Sequence, residues 1–90
     1  MPRQRYIVKG TVQGVGFRYW TYHTATAFGL RGWVRNLPDT SVEIVADGDS
    51  DTLQQFEKML WQGPRYSNVT DVVPCDADMQ EHVSEFSMRY

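Results

Sequence analysis

Hydrophobic and polar positions change their period several times along the chain, and each change marks an element. From Arg5 to Val12, apolar Tyr6, Val8 and Val12 alternate with polar Arg5, Lys9 and Thr11, a strand rhythm that only Ile7 interrupts. Beyond this strand the period lengthens. Phe17, Trp20, Thr21, Thr24, Ala25 and Phe28 fall on one face of a helix that Gly29 stops. Tyr19, Tyr22, His23 and Thr26 take the opposite face, which makes His23 a solvated side chain rather than a catalytic one and leaves Tyr19 and Tyr22 exposed. Leu30 to Asn36 predicts a second strand, and Leu37-Pro38-Asp39-Thr40-Ser41 supplies a turn. In the third strand Val42, Ile44 and Ala46 alternate with Glu43 and Asp47, despite Val45. Ser50 is the expected N-cap of a second helix with Leu53, Phe56 and Leu60 as its apolar stripe, ended by Gly63-Pro64. Val69 to Val73 and the alternating Phe86, Met88 and Tyr90 complete the sheet, with Pro74 unsuited to a central strand.

The order is βαββαβ with one extra strand. It predicts an α+β fold, an antiparallel sheet with two helices packed on one face, the ferredoxin-like sandwich. Ninety residues without repeat, linker or low-complexity tract make one domain, residues 1–90. A formal charge of -2 provides no broad basic field for nucleic acid, so recognition must be local. The first ten residues carry Arg3, Arg5 and Lys9 but no apolar signal stretch, and no later run is long enough to span a membrane. A cytoplasmic location is the default expectation. Cys75 is the single cysteine, which excludes an internal disulfide and a cysteine-based zinc cluster.

Candidate chemistry concentrates in Val12-Gln13-Gly14-Val15-Gly16-Phe17-Arg18, where two glycines run into a cationic side chain at the start of the first helix. Glycine at both positions lets successive N–H groups turn toward one point, and the helix start adds further donors. Arg18 offers a planar fork that matches a phosphate or carboxylate. This is an anion cradle, or in the blander reading a tight turn beside a surface ion pair. The run is not a P-loop, since no Gly-Lys-Ser/Thr closes it, nor a dinucleotide fingerprint, since Tyr19 stands where the third glycine belongs. No paired carboxylates, Ser-His-Asp order or metal-ligand spacing accompanies it.

Taken with Gly10-Thr11 before it and with Gly32-Trp33-Val34-Arg35-Asn36 further on, the cradle resembles the hallmark of the acylphosphatases. The resemblance extends through Ala25, Gly29-Leu30, Val42-Glu43 and the closing Phe86 to Tyr90, nearly the whole chain. One departure stands out: the family usually has Gly after the aspartate ahead of Val-Glu, and this chain has Thr40, β-branched and poorly suited to a tight turn that needs positive φ. The resemblance implies the same ferredoxin-like fold and hydrolysis of the carboxyl–phosphate bond of acyl phosphates to a carboxylate and inorganic phosphate. It implies that the backbone N–H groups of Gln13, Gly14, Val15, Gly16, Phe17 and Arg18, with the Arg18 guanidinium, bind the phosphoryl group while Asn36 orients the attacking water. It calls for no metal and no organic cofactor. The expected partner is the small-molecule acyl phosphate, with no nucleic acid, no membrane and a monomeric chain. Two rivals stand beside this reading: an anion-binding module without turnover, and an RNA-binding domain suggested faintly by Arg31-Gly32-Trp33-Val34.

Overall fold

A computed structural model describes residues 2–77 and 80–89. The Tyr90 end of the expected Phe86-Met88-Tyr90 alternation lies outside the described residues. Seven elements follow in the expected order: β1 (Arg3–Thr11), α1 (Phe17–Ala27), β2 (Arg31–Asn36), β3 (Val42–Asp47), α2 (Ser50–Gln62), β4 (Asn68–Cys75) and β5 (Phe86–Arg89). The sheet order is β4-β1-β3-β2-β5. The first four strands pair antiparallel, and β5 joins the β2 edge in parallel, so the extra strand makes the sheet mixed.

Register explains the core. Tyr6 stands opposite Ile44 and Val8 opposite Val42, while Val34 stands between Ile44 and Met88. These side chains form one layer, onto which the helices press Phe17, Ala25, Leu53, Phe56 and Leu60. Tyr6 meets the Phe56 ring edge-on at 6.1 Å between centroids. Tyr22, placed by its helical phase on the solvent side, is half-buried and packs against this cluster, because a long aromatic side chain at the flank of a helix reaches back over the core.

The opposite face of the sheet explains the breaks in alternation. Val45 and Trp33 are buried there, and Glu43, read from the alternation as a polar-face residue, is 4% exposed. Its carboxylate accepts from Arg5 Nε at 2.5 Å and from Arg35 Nε at 2.6 Å, which satisfies a charge that could not otherwise be buried. Arg35 and Arg89 both lie over the Trp33 ring. Both faces of β3 are therefore covered, and a continuous apolar run survives in it.

Several boundaries shift from the sequence reading, β1 from Arg5–Val12 to Arg3–Thr11 and β2 from Leu30 to Arg31 at its start, and two further shifts have a clear cause. Asp49, not Ser50, caps α2, its side chain accepting the Thr52 N–H at 2.9 Å. Both residues are good caps, and the one three positions before the receiving N–H wins. Strand β4 runs on through Pro74 to Cys75. It is an edge strand, so a residue without an N–H costs the ladder nothing on its outer side.

Candidate active site

Strand β1 ends at Thr11, α1 begins at Phe17, and the five residues between them turn the backbone twice through the left-handed region, at Gly14 with φ 73° and Gly16 with φ 79°. Gly16 is the N-cap of α1, and no side chain caps that end. The first turn also lacks an acidic residue. Its N–H donors and the positive end of the helix dipole are therefore left for an outside anion. A Cβ built on either glycine would meet nothing within 4 Å, so it is the positive φ and not crowding that calls for glycine at both positions. Phe17, 1% exposed, nails the start of the helix into the core and so fixes the cradle's orientation.

The cleft beside this turn has a volume of about 270 Å³. Gly14, Gly16 and Arg18 line it together with Asn36, the last residue of β2. Arg18 Nη1 donates to the Arg89 carbonyl at 3.2 Å, so the far end of β5 helps to hold the guanidinium in place. Asn36 Oδ1 is buried and accepts no hydrogen bond among the described residues. An acceptor shut away without a donor is costly, and a water or ligand hydrogen in the cleft would satisfy it.

The side chain of Gln13 joins the two halves of the site. Its Nε2 donates to the carbonyls of Leu37 and Ser41, both at 2.8 Å, tying the cradle to the turn that directly follows Asn36. In that turn the Asp39 carboxylate accepts from the Ser41 hydroxyl and from the Ser41 N–H. These bonds, the hydroxyl's first, hold the Asp39 carboxyl below its ordinary value. Thr40 sits at φ 76°.

Of the residues expected at the site, the fold thus brings Gly14, Gly16, Phe17, Arg18 and Asn36 to one cleft. Gln13 and Val15 do not line it. The Gln13 side chain serves the turn and Val15 packs against the core, which leaves their backbones alone for any part in the cradle. His23 is exposed, as its position predicts. Two lining residues, Tyr19 and Met88, went unremarked as site residues in the sequence, and Val12 entered only as the first residue of the glycine run. Tyr19 follows Arg18 on the same helical turn and could have been named; Met88 comes from a distant strand and carried no local signal. Among the described residues no group of three His, Cys, Asp or Glu side chains could hold a metal ion. Among the same described residues no helix is long and apolar enough to cross a membrane.

Comparison with known proteins finds acylphosphatases both by sequence and by structure. The acylphosphatase family model matches residues 4–88. An acylphosphatase from Pasteurella multocida is 44% identical over 90 residues, covering all of both chains. One from Nitratidesulfovibrio vulgaris is 51% identical over 81 residues, covering 90% of this chain and 81% of that one. The crystal structure of acylphosphatase from Bacillus subtilis superposes with a TM-score of 0.93 at 41% identity, covering all of both chains.

Proposed function

This chain belongs to the acylphosphatase family and hydrolyses acyl phosphates to a carboxylate and inorganic phosphate; we propose that Arg18 and the Gln13–Arg18 backbone bind the phosphoryl group and that Asn36 aims the attacking water. The observation that carries the assignment is the buried, unpartnered Asn36 Oδ1 in the same cleft as the uncapped helix start and Arg18. A water between them donates one hydrogen to Asn36 Oδ1 and turns its lone pair toward phosphorus. As the new oxygen–phosphorus bond forms, the bond from phosphorus to the acyl oxygen breaks. The electron pair leaves with the carboxylate, and a phosphoryl oxygen takes the water's proton.

The division of labour follows from chemistry. A carboxylate is a stable anion near neutral pH, so the leaving group needs no strong general acid. What remains is to fix the geometry and to stabilise the charge on the phosphoryl oxygens, work suited to oriented N–H groups and a guanidinium. A carboxamide is too weak a base to remove a proton but directs a hydrogen bond well. The same reading extends to metal independence, a single domain, a monomeric chain, a cytoplasmic location and no nucleic-acid partner, in keeping with a site that asks only for one small anion.

Benzoyl phosphate hydrolysis in the presence of chelator tests the assignment, run with folded Arg18→Ala and Asn36→Ala. Arg18→Ala is expected to abolish detectable turnover and phosphate binding. Asn36→Ala is expected to keep inorganic phosphate binding while turnover falls by roughly 10²-fold or more, the scale of a lost positioning group. Near-normal kinetics in Arg18→Ala would overturn its role. Loss of phosphate binding in Asn36→Ala would move that residue into the cradle.

A further inference from the structure

The phosphoryl group accounts for the polar part of the cleft and leaves an apolar part without a task. Val12, Phe17, Tyr19 and Met88 line the same cleft as Gly14, Gly16, Arg18 and Asn36. Val12 and Phe17 are packed in the core and offer the cleft little surface. Tyr19 is different: 62% exposed, one residue beyond Arg18 on the first turn of α1, it presents a large aromatic surface at the rim. Its ring is held rather than loose, standing edge to face with His23 at 4.4 Å between centroids, and His23 in turn meets Tyr22 at 5.3 Å. Tyr22 is anchored against the core, so the three rings brace the rim from within. Met88 enters from β5, half-buried and packed against the core, with a polarisable thioether that suits an aromatic neighbour.

We infer that Tyr19, braced by His23 and lining the cleft together with Met88, receives the acyl group, and that the enzyme thereby selects aromatic acyl phosphates over short aliphatic ones. The inference rests on the phosphoryl-binding assignment above, because the phosphoryl group must occupy the cradle for the acyl group to reach Tyr19. An acyl phosphate extends from the phosphorus through a single bridging oxygen, so an aryl ring attached to the carbonyl lies within a few atoms of the cradle mouth. There it finds an aromatic face or edge and a thioether, partners that an acetyl methyl group is too small to engage fully. Neither Tyr19 nor Met88 bears a formal charge, so nothing in this wall favours a charged acyl chain.

The test compares specificity constants for benzoyl phosphate and acetyl phosphate in the native chain, Tyr19→Ala and Tyr19→Phe. The native chain is expected to favour benzoyl phosphate, and Tyr19→Ala to cut that preference roughly three- to tenfold, chiefly through KM for benzoyl phosphate, the worth of one aromatic contact. Tyr19→Phe should restore the preference, since the ring and not the hydroxyl makes the contact. Tyr19 is exposed, so its replacement leaves the core intact, and circular dichroism confirms the fold. A preference equal in the native chain and Tyr19→Ala overturns the acyl site while leaving the cradle assignment standing. Failure of the native chain to hydrolyse either acyl phosphate would instead overturn the reading on which the inference rests.

Discussion

Thr40 holds φ at 76°, a backbone state that costs an L-residue about 1–2 kcal/mol and a β-branched one at least as much. The turn tolerates it because its neighbours are over-determined: the Thr40 N–H reaches the Leu37 carbonyl at 3.2 Å, and Asp39 accepts two hydrogen bonds from Ser41. Replacing Thr40 by Gly removes the strain but adds freedom to the unfolded chain, which takes back part of the gain. Thr40→Gly is therefore expected to stabilise the fold by roughly 0.5–1 kcal/mol, raising Tm by a few degrees in a chain of this length. A lowered urea midpoint would show that the turn is not strained in solution. This departure was legible in the sequence because a single residue type conflicts with a single dihedral angle. The cap of α2 was not, because Asp49 and Ser50 satisfy the same rule and only the position of the first turn separates them.

Elements matter to the site through the ties between them. The cradle belongs to the β1–α1 turn and Asn36 to the end of β2, and these are joined by the two hydrogen bonds from Gln13 Nε2 to the Leu37 and Ser41 carbonyls. Removing them lets Asn36, to which we assign the attacking water, shift against the proposed phosphoryl site, and displacements of about 1 Å in a reacting geometry can cost 10²-fold. Gln13→Ala is expected to lower kcat roughly 10- to 100-fold while inhibition by inorganic phosphate weakens far less, because the backbone cradle and Arg18 remain. Parallel losses in both would mean that Gln13 supports the cradle itself. Elements of this kind divide by how they are encoded. The β1–α1 turn and the end of β2, which meet at the cleft, were readable because each is a contiguous string. The Gln13 bridge, the Arg89 carbonyl behind Arg18 and the Met88 wall were not, because each joins residues more than twenty positions apart and periodicity carries no record of which strand lies beside which. The burial of Glu43 escaped for a related reason: its arginine partners, Arg5 and Arg35, come from the strands on either side of it.

For the whole molecule, β1 is the strand on which both the core and the site depend, since it lies between β4 and β3 and leads directly into the cradle. Tyr6 is its deepest polar residue, 1% exposed, with Phe56 against its ring and a long 3.4 Å contact from its hydroxyl to the Leu53 carbonyl. Burial, aided by the negative charge of Glu57, pushes the Tyr6 hydroxyl up from 10.0 to about 12. The unfolded chain thus ionises Tyr6 at the lower pH, while the folded chain keeps the proton until about pH 12. The folded state binds more protons between these values, so the stability from a neutral buried Tyr6 is complete below pH 10.0 and is lost as pH rises toward 12. The shift corresponds to roughly 2–3 kcal/mol over that window. Tyr6→Phe gives up one weak hydrogen bond, a cost below about 1 kcal/mol at neutral pH, and removes the alkaline loss. Urea unfolding at pH 8 should find the native chain equal to or slightly more stable than Tyr6→Phe, and unfolding near pH 12 should find the order reversed. A difference that stays constant across this range would mean that the Tyr6 hydroxyl meets water in the folded protein, and that the helix layer over β1 is more open than its packing implies.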